Sequence, residues 1–248
     1  VLSAKLIKHG KSYAVIGTIQ NIDNVPADVA LKAALYDNDD SKLASHNAKY
    51  HMKHKLMPKE TSNFRIEFEG IAWSKIKDAI PKVFNPDEFT PTDFKKPPTL
   101  FNLHCEGNVA NSDLYKKVGI DHVDIDESKV EGTIFNTGIE EVTISQLLVS
   151  YYSNEKELLW VDSLFLKEGV RQQRKQNFTI TLDPLKQLEI IYDSLDFCFV
   201  NGLPNKDIAQ KFVSKRNINH IKNGLLKVKG NGYDYIKIEL NNYIGNPK

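Results

Sequence analysis

The chain has 248 residues, with 33 basic against 32 acidic side chains, a formal net charge of +1 and 41% hydrophobic residues. That length exceeds one small sandwich and suits two domains of about 100–120 residues, each with enough apolar content for its own core. The balanced charge and the lack of a basic block exclude nucleic acid as a default partner, and no apolar run approaches the ~18 residues of a membrane-spanning helix.

In chain order, Leu2–Lys8 reads as a strand, and His9-Gly10-Lys11-Ser12 turns into Val15-Ile16-Gly17-Thr18-Ile19-Gln20-Asn21. Alternation puts Val15, Gly17 and Ile19 on one face and Ala14, Ile16 and Thr18 on the other. A glycine inside a strand costs stability, so it marks close backbone approach or a bulge. After a loop to Ala27, Asp28–Tyr36 points Val29, Leu31, Ala33 and Leu35 inward. The turn Asp37-Asn38-Asp39-Asp40-Ser41 leads into a strand from Lys42 to about Tyr50, and Met57-Pro58-Lys59-Glu60 turns into Asn63–Phe68.

The opening pattern returns 115 residues later as Val130-Glu131-Gly132-Thr133-Ile134-Phe135-Asn136, with five of seven positions identical. Val142–Tyr152, Leu158–Leu166 and the Phe178, Ile180, Leu182 triplet then follow as their counterparts did. A constant shift over such a length is the mark of an internal repeat. Within Val142–Tyr152, alternation leaves open whether Leu148 or Val149 faces inward.

Both halves then change period. Trp73, Ile76 and Ile80 predict a short helix over Ile71–Ile80; Asp183-Pro184, with Leu185, Leu188 and Ile191 or Tyr192 behind, predicts another. Each helix precedes a last strand, Leu100–Asn108 and Leu195–Asn201. The Pro-rich stretch Asn85–Pro98 is an insertion in the first half alone. From Ile218 a third beginning shows, with Val228 and Gly230 where Val15 and Gly17 stand. A tail of this size cannot hold a core by itself, so it docks on the second unit or opens a third.

The predicted fold is all-β: two tandem antiparallel immunoglobulin-like sandwiches, residues 1–112 (with the insertion at 85–98) and 113–203, each with a short helix before its last strand. Residues 204–248 form a partial third repeat or a docked β extension.

Gly17, Asn21, Leu35-Tyr36-Asp37, Pro58 and Phe64 carry a resemblance to the FxLYD family of small immunoglobulin-like domains. Ala33 replaces that family's phenylalanine, and Ser150-Tyr151-Tyr152 replaces Leu-Tyr-Asp in the second half. The resemblance implies the sandwich fold and an extracytoplasmic setting (secreted, periplasmic or cell surface). It implies no catalytic residues, since this fold hosts many functions.

Several groups of residues invite a site. Asp37, Asp39 and Asp40 offer carboxylates to a hard cation, but lack the glycine and terminal glutamate of an EF-hand loop; a capped hairpin turn accounts for them. Asp121, Asp124, Asp126 and Glu127 read as an exposed strand face. His46, His51 and His54 do not converge on one metal if they lie on a strand. His104 and Cys105 face apart as strand neighbours, and Cys105 and Cys198 read as small core hydrophobes. Trp160, Tyr151, Tyr152 and Phe165 form either an aromatic platform or cross-strand filling. Asn177-Phe178-Thr179 is a glycosylation sequon with Asn177 outward.

No catalytic, cofactor-binding or metal set emerges, and no cofactor is expected. The expected function is a non-enzymatic binding, spacer or adhesion module of an exported or cell-surface protein, with a protein or cell-surface polysaccharide as partner. The alternative is a pair of accessory β-sandwich domains of a larger secreted glycosidase or protease whose catalytic part lies outside this chain.

Overall fold

The computed structural model describes residues 1–10, 12–49, 51–68, 97–110, 118–139, 141–142, 144–166, 169–185, 188–192, 199–200, 203–204, 224–229 and 232–243. The strands are β1 (Ser3–His9), β2 (Ser12–Gln20), β3 (Ala27–Tyr36), β4 (Lys42–Asn47), β5 (Lys55–Leu56), β6 (Thr61–Phe68), β7 (Leu100–Val109), β8 (Val118–Ile125) and β9 (Lys129–Asn136). They continue with β10 (Ile144–Tyr152), β11 (Leu158–Phe165), β12 (Arg174–Thr181), β13 (Leu188–Tyr192), β14 (Phe199–Val200), β15 (Leu203–Pro204), β16 (Leu226–Lys227) and β17 (Tyr235–Tyr243). All pairings are antiparallel, and no helix occurs among the described residues.

Four sheets carry the architecture: β13-β1-β2-β6, then β3 flanked by β4, β5 and β7, then β12-β9-β8, and last β11-β10-β17-β16. The first two enclose one core, built on Leu6, Val15, Leu35, Phe64, Phe68 and Phe101. A second core holds Val130, Ile134, Leu147, Val149, Phe178 and Ile236 between the other two.

The prediction of a short helix from Asp183-Pro184 through Leu188 and Ile191 is overturned, because Leu188–Tyr192 is β13 and pairs with β1. Over five residues helical spacing is weak, and Ile190, Ile191 and Tyr192 prefer an extended backbone once an open strand edge offers a ladder. The helix expected over 71–80 lies outside the described residues, as do most of the 85–98 insertion and the start of the expected strand at 195–201. The strand expected to run to about Tyr50 stops at Asn47, so His51 and His54 sit in a loop.

The mid-strand glycines lie under aromatic rings. Gly17 is the cross-strand partner of Phe64, and Gly132 of Phe178. A Cβ on Gly17 would stand 2.8 Å from Phe64 Cζ and 2.9 Å from Ala4 Cα. The asparagine closing each marker strand is a buried plug. Asn21 Nδ2 donates to Val25 O and Leu56 O, and Asn136 Nδ2 to Val170 O, while the carboxamide oxygens accept from Asp23 N and Gly138 N. Each satisfies backbone groups that its loop would otherwise bury unpaired.

Sequence order and sheet membership part company after β12. Strand β13 adds to the edge of β1, and β14 lies beside β7. The tail then returns: β17 pairs with β10 along its full length and β16 pairs with β17. These pairings put β16 and β17 in one sheet with β10 and β11. Ile236, Ile238 and Leu240 of β17 face the second core.

Candidate functional site at the seam between the sandwiches

The β1–β2 hairpin has two apolar faces. Leu6, Val15 and Ile19 belong to the first core, whereas Ile7, Ala14 and Ile16 belong to the second. Opposite them β10 is also buried on both faces. Leu147, Val149 and Tyr151 enter the second core, while Gln146, Leu148, Ser150 and Tyr152 are buried on the other side. Both Leu148 and Val149 are therefore inward, each toward a different neighbour.

The seam is polar where β6 meets the sheet of β10. Asn63 Nδ2 donates to Ser150 Oγ at 2.9 Å and to Tyr152 Oη at 2.5 Å, and Asn63 Oδ1 accepts from Thr18 Oγ1 at 2.8 Å. Burial raises the Tyr152 hydroxyl pKa, so it remains a neutral partner. From the tail, Asn241 Nδ2 donates to Met52 O at 2.9 Å and to Gln146 Oε1 at 2.8 Å.

Arg65 is the hub. Its Nη1 donates to Asp162 Oδ1 at 3.0 Å, its guanidinium lies 4.1 Å from the centre of the Trp160 ring, and Glu67 Oε2 is 3.3 Å from Nη2. Trp160 Nε1 donates to the same Asp162 oxygen at 2.9 Å. His51 Nε2 lies 2.7 Å from Arg65 Nη2, and His51 Nδ1 lies 2.7 Å from Ser163 Oγ. A guanidinium can only donate, so Nε2 accepts and the imidazole proton sits on Nδ1, donated to Ser163. Burial, and after it the Arg65 charge, push His51 down to about 3.

A serine beside a histidine suggests a nucleophile and its base, but here the nitrogen facing Ser163 already carries the proton. The arrangement cannot draw a proton from Ser163. Its chemistry is that of a lock: one guanidinium, a neutral imidazole, a carboxylate and an indole from two sandwiches are used up on one another.

The other candidates are dispersed. Asp37 is buried, and its Oδ1 accepts from Asp39 N and Ser41 N, both at 2.9 Å; the turn has Asp40 at φ +58°. Asp37→Ala is expected to lower stability by about 1–2 kcal/mol, through two lost turn hydrogen bonds, and Asp37→Asn by much less. Urea denaturation with and without calcium checks this: the loss should be the same in both, because the carboxylate is already spent on its own turn.

Asp121 pairs with Lys175, which holds its carboxyl below the usual range, His122 with Asp124, and Glu127 with Lys229, all on the surface. His46 packs on Phe68 with ring centres 4.9 Å apart, while His54 Nε2 meets Lys49 O at 2.8 Å, so the three histidines go separate ways. Among the described residues no group of three or more His, Cys, Asp or Glu could hold a metal ion. His104 lies 2.9 Å from Glu106, and Cys105 packs against the first core; Cys198 lies outside the described residues. Trp160, Tyr151 and Tyr152 are buried, and Phe165 alone of that set is exposed, so they form no platform. Asn177 is exposed, with Oδ1 accepting from Thr133 Oγ1 at 3.2 Å.

Arg65 and Asn63 were not singled out by sequence. Polar residues alternating with Phe64 and Ile66 look the same whether they meet water or a polar seam.

No family model and no curated protein matches the chain. Among solved structures it is similar to a calcium-binding mutant of Bacteroides uniformis β-glucuronidase 2, at 11% identity and TM-score 0.21, covering 71% of this chain and 22% of that one. It is also similar to a β-glucuronidase from glycoside hydrolase family 2, at 14% identity and TM-score 0.19, covering 69% and 20%. Red sea bream transglutaminase matches at 9% identity and TM-score 0.19, covering 79% and 30%. The chain thus spans less than a third of the length of each, and likenesses of this size transfer no residue's role.

Proposed function

We propose that this chain is a non-enzymatic module of an exported or cell-surface protein, holding two β-sandwiches in one fixed relation as a spacer that presents a binding or adhesive surface. The observation that supports this is the seam: Asn63, Arg65, His51 and Asn241 spend their hydrogen-bonding capacity across it. A pair of sandwiches joined by a loose linker would leave such groups to water. The partner would be a protein or a cell-surface polysaccharide. The immunoglobulin-like repeat and the extracytoplasmic setting belong to this same proposal.

Residual dipolar couplings test it directly. Amides of β3 and β7 and amides of β9 and β12 should fit a single alignment tensor at neutral pH. Two independent tensors would remove the spacer. Turnover in a screen of glycoside and peptide substrates, lost on substitution of a residue in this chain, would remove the non-enzymatic reading. A catalytic domain in the flanking reading frame would favour accessory domains of a secreted glycosidase or protease instead.

A further inference from the structure

The sheet β12-β9-β8 ends on each side in a strand that has no further partner among the described residues. Such an edge displays backbone N–H and C=O groups that another strand can pair with, and natural edges are commonly blunted by charge. Here the two edges carry opposite charge. Val118–Ser128 holds Asp121, Asp124, Asp126 and Glu127 with no lysine or arginine, whereas Arg171–Thr181 holds Arg171, Arg174 and Lys175 with no carboxylate. All of these charged residues are exposed.

Part of the charge is used within the chain. Lys175 reaches across the sheet to Asp121, Asp124 meets His122 at 2.9 Å, and Glu127 meets Lys229 at 3.3 Å. The last two pairs are highly exposed on both members, so water screens them and another cation can compete for the carboxylates. Arg171 and Arg174 make no ion pair among the described residues.

The register decides which way two such edges can meet. Through β9, Arg174 is level with Val118, and Thr179 is level with Asp124. The basic and acidic groups therefore stand at opposite ends of the sheet as well as on opposite edges. A second copy added by translation would run its β12 parallel to β8 and set Arg174 beside uncharged Val118. A copy turned over, with β12 antiparallel to β8, brings Arg171 and Arg174 against Asp124, Asp126 and Glu127, and antiparallel pairing is the more stable ladder.

We propose that this chain assembles head to tail with copies of itself, β8 of one copy pairing antiparallel with β12 of the next. The contact is heterologous and leaves one edge of each kind open, so it grows into a filament instead of stopping at a dimer. The bulge between Ile120 and His122 interrupts the ladder in mid-strand, so the contact is short and leans on its ion pairs. It does not rest on the exported-module reading: a chain that stays monomeric can still hold its two sandwiches in one fixed relation.

Sedimentation velocity of the full chain tests this. At about 50 mM salt, with protein rising to roughly 0.5 mM, the mass should grow past that of a dimer, and about 500 mM salt should weaken the association about tenfold. Asp124→Lys with Glu127→Lys, and separately Arg171→Glu with Arg174→Glu, should each remain monomeric. An equal mixture of the two variants should assemble again, because each then meets an edge of opposite charge. All four positions are exposed, so urea midpoints should match the parent. If a reversed variant folds poorly, Asp124→Asn with Glu127→Gln, or Arg171→Gln with Arg174→Gln, takes its place and should weaken association about tenfold. A chain that stays monomeric over the whole range, a dimer that does not grow, assembly that persists in either reversed variant, or a mixture that stays monomeric would each overturn the head-to-tail contact.

Discussion

Gly17→Ala is expected to cost about 3–5 kcal/mol, a large part of the 5–15 kcal/mol that a domain of this kind has to lose. The added methyl would meet the Ser3 carbonyl oxygen and stand 2.9 Å from Ala4 Cα, both backbone atoms of the neighbouring strand, as well as 2.8 Å from Phe64 Cζ. A ring can tilt, but a paired strand cannot retreat without breaking its ladder, so the overpacking penalty is at its upper end. Gly132→Ala belongs to the same class, since its methyl would meet Phe178 and lie 2.7 Å from His122 O. The control is Gly107→Ala on β7, where nothing lies within 4 Å; it should change stability by no more than about 0.5 kcal/mol. Urea midpoints of the three variants decide the matter, and adding Phe64→Leu should recover only the ring's share of the Gly17→Ala loss.

Arg65→Ala should remove about 3–5 kcal/mol, because it deletes the one partner shared by Asp162, the Trp160 face and His51 and leaves them buried or half-buried without it. The Arg65 side chain is 7% exposed and Asp162 is 46% exposed, so the loss comes mainly from the arginine's side of the seam rather than from a free carboxylate. Arg65→Lys keeps the charge but cannot stack flat on the indole while bonding Asp162 and His51 together, so it should rescue less than half of the loss. A double-mutant cycle with Asp162→Ala measures the coupling. A broadened urea transition with a lowered m-value in Arg65→Ala would show the two cores melting separately; an unchanged m-value with a small shift in midpoint would show that Arg65 is not the hub.

The sheet architecture was legible because its signals are local. Alternation over Tyr13–Asn21, the turn chemistry of Asp37–Ser41 and the recurrence of Gly and Asn each follow from one strand and its neighbour. The seam was not, because a strand buried on both faces carries the same alternation as a strand at the surface. Alternation puts Ala14, Ile16 and Thr18 on the face opposite Val15, Gly17 and Ile19, and two of the three enter a second core. Arg65 and Asn63 carry no signal of the seam for the same reason. β13 was misread because Leu185, Leu188 and Ile191 fit a helical period, and only the edge of β1, about 180 residues earlier in the chain, makes the extended form the better one.

The path of the chain after β12 bears on how the protein is made. The sheet of β1 gains its last strand only when Leu188–Tyr192 exists, and the sheet of β10 gains its last strands only with Leu226–Lys227 and Tyr235–Tyr243. An emerging polypeptide that has completed β7 therefore still shows an open edge at β1 and an uncovered second face on β2. Neither sandwich can close on the ribosome in the order of its own strands, and both are finished by the last quarter of the sequence. Contacts this distant make assembly slow and favour one late, concerted step over two independent ones. The same stitching makes a cut after residue 112 a poor way to obtain the first sandwich alone, since the piece would lack β13 and offer a bare strand edge to its neighbours.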